Sequence, residues 1–380
     1  MPRPIRAAVS PGLGKPPVIE DLILADPEPD EVVLRIEAAG ICHTDLEVAR
    51  WTPTPRVLGH EGAGVVVATG SAVTGLSPGD RVVATFGFCG ECPNCKGDQP
   101  AYCFDGPALN FEGKRGTNTP ALTRPDGTAI EGAFFQQSSF ATHALATMRN
   151  CVKVPDGFPL PVAAPLGCGI QTGAGAVANQ LAARKGRPLL VIGAGAVGLA
   201  ASMAGRSIGC DPIMCVELDA SRRDMATSVG ATHTLDGANP DWPEQVLMLT
   251  HGGATAALDS AGTQATFRGS LAALHAGGRL GVLTLPGAFE DPIDHPGGMD
   301  FMTKTIVGVV EGDAVPKTFL PTLMKQHLAG DLPVDRLITP YRFADIAKAF
   351  EDAGNGSVIK PVLTFEDEHV ADEHPRDARI

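Results

Sequence analysis

Val191-Ile192-Gly193-Ala194-Gly195-Ala196-Val197-Gly198 sets Gly-x-Gly-x-x-Gly between an apolar run, Pro188 to Ile192, and a helix-like stretch, Ala196 to Ile208. The glycine pattern alone is common; a strand before it and a helix after it give it meaning. In that setting Gly193 permits a tight turn, Gly195 lets a pyrophosphate approach the backbone, and Gly198 lets helix and strand pack closely. The phosphates then meet a helix N-terminus, whose free N–H groups point outward. The next apolar run, Pro212 to Val216, leads into Glu217, about 20 residues beyond the last glycine, where a dinucleotide fold carries the acid that binds the adenosine ribose. A carboxylate there favours NAD and repels the additional phosphate of NADP, an exclusion that Arg222 and Arg223 close by weaken.

The same alternation continues outward from this point. A helix is expected over Ser221 to Val229, a strand over Ala254 to Asp259, a helix over Gln264 to Leu274 and a strand over Arg279 to Leu285. Strands alternating with crossover helices build a parallel sheet, so residues 170–311 read as an α/β dinucleotide-binding domain. Upstream the texture differs: in Glu31 to Gly40, Val32, Leu34, Ile36 and Ala38 share one face while Arg35 and Glu37 share the other. That is the two-residue period of a half-buried strand. Gly64 to Gly70 and Asp80 to Thr85 repeat it across a Ser-Pro-Gly-Asp turn. Residues 1–169 therefore read as an all-β domain. A helix near Thr318 to Leu328 and a last strand near Lys360 to Phe365 follow, and 312–365 is expected to return to the first domain. Residues 366–380 are polar, mostly acidic and without period, which predicts a mobile tail.

A chain of 380 residues suits two such domains, since domains settle near about 100–200 residues each. The 44% hydrophobic and 19% charged content is that of a folded globular protein. A formal charge of -13 argues against nucleic acid and anionic membrane as partners. No apolar run approaches the roughly 18 residues that a membrane span needs, and Met-Pro-Arg-Pro-Ile-Arg lacks the apolar core of a signal peptide. The cytoplasm is the expected compartment.

The nine cysteines divide by spacing. Cys89, Cys92 and Cys95 lie in Phe88-Cys-Gly-Glu-Cys-Pro-Asn-Cys, and Cys103 follows Tyr102. Four thiols this close on a loop suit a closed tetrahedral zinc, which ties the loop together and does no chemistry. Left free in a reducing compartment they would stay open to oxidation. Cys42 in Gly40-Ile-Cys-His-Thr-Asp, His60 in Gly59-His-Glu-Gly and Cys168 in Leu166-Gly-Cys-Gly are scattered. Taken singly, each is more often a buried small hydrophobe or a satisfied histidine than a ligand. Cys151, Cys210 and Cys215 have no matching partners and read as core.

Together these stretches resemble the zinc-dependent medium-chain alcohol dehydrogenases, from about Ile5 to Phe365. The resemblance implies a GroES-like β-barrel catalytic domain beside a Rossmann domain, with the site in the cleft between them, NAD as cofactor and two zinc ions per subunit. It also implies a homo-oligomer, dimer or tetramer, acting on a small molecule. It implies a catalytic zinc held by Cys42, His60 and Cys168, with Glu61 as an occasional or neighbouring ligand and Asp45 hydrogen-bonded to His60. It assigns Cys89, Cys92, Cys95 and Cys103 to the structural zinc, Thr44 to the hydroxyl that accepts the substrate proton, and Thr172 and Val197 to the nicotinamide pocket. His43 falls at a cofactor-phosphate position and Lys360 where many relatives carry a pyrophosphate-binding arginine. Phe140 matches an aromatic of the substrate pocket, with Phe88 and Leu109 as looser candidates. In such a site zinc polarises the alcohol as a Lewis acid while the nicotinamide takes the hydride.

Within the family, Ala108-Leu-Asn-Phe, Phe134-Phe-Gln-Gln-Ser-Ser-Phe-Ala-Thr-His and Gly308-Val-Val-Glu-Gly-Asp resemble the aryl-alcohol (benzyl-alcohol) branch. This implies reversible oxidation of a primary aromatic or allylic alcohol to its aldehyde. The alternatives are a general, polyol or S-(hydroxymethyl)glutathione dehydrogenase, or a non-catalytic NAD- and zinc-binding protein; the presence of Cys42, His60, Cys168 and Thr44 together opposes the last. The chain also departs from the pattern. Glu47 stands where many relatives have the histidine that hands the proton to water, and the segment between Cys42 and His60 is short, with Trp51 expected to fill part of the missing wall.

Overall fold

In the computed structural model, which describes residues 2–113, 115, 117, 119–284 and 303–368, a strand forms over Glu31–Gly40, as the alternation predicts. Arg35 and Glu37 stay half-exposed and pair with each other at 2.9 Å, while the apolar positions are buried. Three neighbours converge on this strand. Glu61–Thr69 runs antiparallel along it, His143–Thr147 pairs with its first half, and Lys360–Thr364 pairs with its last residues. The register sets Gly40 opposite Glu61 on one side and opposite Val362 on the other. The chain that continues into Cys42 is thereby brought beside His60 and Lys360. This seven-stranded sheet and a second, five-stranded sheet that contains Arg3–Ser10 and Val18–Leu24 share a core with Leu34, Ile36, Phe134, Phe140, Phe343 and Phe365. This is the GroES-like part of the chain.

The second architecture is a six-stranded parallel sheet in the spatial order His233–Asp236, Ile213–Glu217, Leu189–Ile192, Ala254–Asp259, Leu274–Val282, Thr305–Gly308. Numbered along the chain that order is 3-2-1-4-5-6, the doubly wound arrangement of dinucleotide-binding domains. The helix Ala196–Ile208 and the strand Ala254–Asp259 form over the residues expected. The strand expected at Arg279 to Leu285 begins earlier, at Leu274, and runs to Val282; Leu285 lies outside the described residues. Strand His233–Asp236 and helix Trp242–Thr250 come between expected elements. The first is too short and polar to show a period, and Pro243 inside the first turn of the second reads as a breaker, although proline fits there without loss.

The chain divides into two compact units. One comprises residues up to Cys168 with Pro316–Pro321 and Leu337 onward, the other Gly169–Val315 and Thr322–Arg336. The return to the first unit, expected over 312–365, is therefore interrupted: the helix Pro316–Leu328 changes unit after Pro321. Among the described residues no helix is long and apolar enough to cross a membrane. Of the expected tail, Glu366–Glu368 makes a single helical turn in which Glu368 pairs with Arg6, and residues 369–380 lie outside the described part.

Candidate active site

Cys42 sits immediately before a helix that alternation did not reveal, His43–Trp51. Asp45 in its first turn does two things. Its Oδ2 accepts from the backbone N–H of Cys42 at 2.9 Å, and its Oδ1 accepts from Gly59 N–H and from His60 Nδ1, each at 3.0 Å. One buried carboxylate thus holds the backbone around two prospective ligands and fixes which imidazole nitrogen is spoken for. The other, Nε2, is buried and has no hydrogen-bond partner among the described residues. Cys168 follows the turn Ala164–Gly167, which Thr85 anchors by donating its hydroxyl to Gly167 O at 2.7 Å.

The ligand atoms of Cys42, His60 and Cys168 lie within 4.8 Å of one another. A soft-donor set of two thiols and one imidazole, with an orphaned buried nitrogen, fits zinc with a position left for substrate. Before a metal binds, its electrostatics favour a thiolate at Cys42 and a proton on His60 that a metal would displace. Cys42 is held well below the ordinary thiol range by a hydrogen bond from Cys168, against the resistance of burial and with help from the charges of His60 and Lys360. Burial opposes a charged imidazolium at His60, but Asp45 and the Cys42 thiolate outweigh it and push that group up. A cation in such a pocket meets the Cys42 thiolate already favoured. Thr44, the second residue of that helix, is half-buried with its Oγ1 3.8 Å from Cys42 Sγ.

The four-cysteine loop is a separate construction. Cys89, Cys92, Cys95 and Cys103 bring their sulfurs within 4.8 Å of one another around the short helices Pro93–Lys96 and Pro100–Tyr102. Backbone N–H groups of Cys92 and Cys89 donate to Cys89 and Cys103 sulfurs at 3.3 and 3.2 Å. Hydrogen bonds from the Phe104 and Cys95 backbone bring Cys92 down to about 6, whereas burial pushes Cys95 up to about 12. Four such thiols with one already ionised suit a tetrahedral dication with no open position. Burial pushes Cys151 and Cys215 up to about 12 and Cys210 upward, as inert core thiols.

The glycine-rich turn takes the form its residues demand. Gly193 has φ +92°, and a Cβ at Gly198 would run into Gly193 O. At Gly195 a Cβ would meet nothing within 4 Å, so this backbone stands open where a pyrophosphate would approach. Glu217 reaches back to the turn: its Oε2 accepts from Ala194 N–H at 2.7 Å and its Oε1 from Asp219 N–H at 3.0 Å. Arg222 lies in the first turn of the next helix, Ala220–Val229, its N–H bonded to the cap Asp219 at 3.0 Å. Thr172 is buried in Gly169–Gly175, a helix that Gly173 brings onto the carbonyl of Val197. The residues present fit a dinucleotide.

Several expected residues stand elsewhere. Glu61 is buried beside His60 but does not join the ligand group; its carboxylate is bound by Lys360 at 2.9 and 3.0 Å. Lys360 is accordingly turned inward and 2% exposed, not open to a phosphate. Burial raises Glu61 while Lys360 opposes the rise. His43 lies on the exposed side of its helix, 3.4 Å from Glu47, and Trp51 is 82% exposed and fills no wall. Phe140 is core, 1% exposed and packed edge-on against Phe350 with ring centroids 5.6 Å apart. Phe88 is half-buried beside Phe86, and Leu109 is half-buried in the short helix Gly106–Phe111.

Among the described residues the rings that touch His60 are Phe134 and Phe135, both buried in the same core as Phe140. Phe135 stacks on His60 with centroids 4.5 Å apart and planes at 28°, Phe134 meets His60 edge-on at 5.4 Å, and Phe111 leans on both. They get there through a left-handed run, φ 52° at Phe135, 51° at Gln136 and 44° at Ser138. Buried Gln137 secures it, donating to His60 O at 2.9 Å and Thr85 O at 3.1 Å and accepting from Gly62 N–H at 2.9 Å. No sequence period marks them, because the left-handed backbone at Phe135 follows neither strand nor helix spacing.

Comparison with known proteins agrees with this geometry. The family pattern described as "Alcohol dehydrogenase GroES-like domain" matches residues 28–156, and that described as "Zinc-binding dehydrogenase" matches 196–326. The chain is 42% identical over 365 residues to a geraniol dehydrogenase of Castellaniella defragrans, covering 95% of this chain and 97% of that one. Among solved structures, an alcohol dehydrogenase zinc-binding domain protein from Burkholderia ambifaria superposes with TM-score 0.93 at 42% identity, over 96% of this chain and 100% of the other. Benzyl alcohol dehydrogenase from Acinetobacter calcoaceticus gives TM-score 0.90 at 37% identity, over 96% and 99%. The chain belongs to the zinc-dependent medium-chain alcohol dehydrogenases, oxidoreductases that bind zinc and NAD.

Proposed function

We propose that this dehydrogenase oxidises a primary aromatic or allylic alcohol to its aldehyde, reversibly, with NAD. The observation that carries the reading is the ring cluster at the metal ligand: Phe134 and Phe135 both touch His60, and Phe111, 47% exposed, extends that cluster toward solvent. A flat unsaturated group finds edge and face contacts there that a short aliphatic or polyol chain does not. Relatives named for geraniol, an allylic alcohol, and for benzyl alcohol support the same class.

Bound at these residues, zinc supplies Lewis acidity and NAD the hydride acceptor. The protein's share is positional. Cys42, His60 and Cys168 would hold the metal, Asp45 orients His60, and the Thr44 hydroxyl would accept the alcohol's hydrogen bond and pass its proton on toward solvent. Glu217 sets the cofactor preference, because its carboxylate, held by two backbone N–H groups, stands where a 2′-phosphate would have to sit.

A panel of NADH-formation assays over benzylic, allylic, short aliphatic and polyol alcohols tests the reading. Benzyl alcohol and geraniol should exceed ethanol in kcat/KM by at least about 100-fold, and NADP in place of NAD should support little turnover. Ethanol used as efficiently as benzyl alcohol would end the aryl and allylic assignment, and equal use of NADP would end the role given to Glu217.

A further inference from the structure

Every hydrogen bond of the Lys360 ammonium runs inward. Nζ donates to Glu61 Oε1 at 2.9 Å, to Glu61 Oε2 at 3.0 Å and to the carbonyl of Ile41 at 3.2 Å. An ammonium has three donors, and these acceptors occupy them. The two segments it joins are the ones that bear metal ligands, for Ile41 precedes Cys42 and Glu61 follows His60. Gly40 belongs to the same arrangement, because a Cβ there would run into Glu61 Oε2. The carboxylate therefore has a place built for it from both sides, bare backbone on one and a buried cation on the other.

A carboxylate is itself a zinc ligand by chemistry, and this one is covalently next to His60. Yet it stands apart from the group formed by Cys42, His60 and Cys168. We propose that Lys360 is a positioning residue of the metal site: it holds the Glu61 carboxylate off that triad, so that the protein supplies three ligands and not four. Its charge also offsets that of Glu61 next to two thiols. The inference rests on reading the triad as the catalytic zinc site, which metal content decides by itself: the wild-type enzyme should carry a second zinc beyond that of the cysteine loop, exchangeable for cobalt.

In cobalt-exchanged holoenzyme the visible ligand-field bands report the ligand set, and NADH fluorescence titration reports cofactor affinity. Lys360→Met should shift the bands and lower kcat/KM about tenfold or more, with cofactor affinity as in wild type. Adding Glu61→Gln to it should return the bands to the wild-type position and recover most of the rate, and Glu61→Gln alone should leave the bands in place. Unchanged bands in Lys360→Met, or a cofactor affinity weakened about tenfold, would overturn the proposal and give Lys360 to a phosphate. Should Lys360→Met fail to fold because Glu61 is left buried without a partner, the double variant, which buries no charge, carries the test. Wild-type bands and cofactor affinity in it support the clamp, and loss of cofactor affinity overturns it.

Discussion

Cys92 in the cysteine-rich loop is drawn toward its thiolate by backbone N–H groups of Phe104 and Cys95, neighbours in the same loop. Cys42 is drawn down by side chains collected from distant parts of the chain, Cys168 first, then His60 and Lys360, against the opposing effect of burial. The first site is local in sequence, reachable by solvent and closed by its fourth cysteine. The second exists only once three strands are in register and the turn before Cys168 is anchored by Thr85. A local closed site can stabilise a loop without touching catalysis, and an assembled open site can fail in chemistry while the fold that assembles it survives. The two clusters should therefore break in different observables.

The largest difference should come from Cys168→Ser. Removing one of three ligands removes the metal, and a Lewis-acid contribution of several kcal/mol corresponds to a loss of about 10³-fold in kcat. The melting temperature should fall by no more than about 3 °C, because the sheets do not depend on this thiol. Wild-type turnover by this variant in chelator-treated buffer would refute the ligand assignment. Cys95→Ser should do the reverse. Losing a few kcal/mol of metal-linked loop stability should lower the melting temperature by about 5–10 °C, while kcat/KM below the transition stays near wild type. Unchanged melting together with an altered KM would erase the distinction between the clusters.

The same contrast explains what the sequence disclosed. The glycine-rich turn and the four-cysteine loop were legible because each is complete within a few residues, so spacing alone carries the geometry. The strand Glu31–Gly40 was legible from its period. Cys42, His60 and Cys168 carried no such mark and came from family resemblance, since their meeting depends on register and not on spacing. The helix His43–Trp51 was missed because its N-cap is a cysteine, and the residue that caps it from the first turn, Asp45, serves the ligands as well. Lys360 was assigned outward because a lone lysine in a strand says nothing about a carboxylate far away in the chain. Phe140 was assigned to the pocket by family resemblance; no sequence period foresees the left-handed run that stacks buried Phe135 on His60 while Phe140 packs against Phe350.

That last pair sharpens the comparison at its smallest scale. Phe135→Leu keeps an apolar side chain but removes the flat face stacked on His60, so the ratio of kcat/KM for benzyl alcohol over ethanol should fall about tenfold, with little change in melting. Phe140→Leu leaves a small cavity beside Phe350, so it should cost about 1 kcal/mol and about 2–4 °C in melting temperature, with the substrate ratio unchanged. If the two variants exchange these effects, the ring at Phe140 is the one that sees substrate and the pocket is built from the other face of the run. If Phe135→Leu slows both alcohols alike, its ring supports the imidazole and not the substrate, because a group that acts through the metal ligand is blind to what the ligand's partner carries.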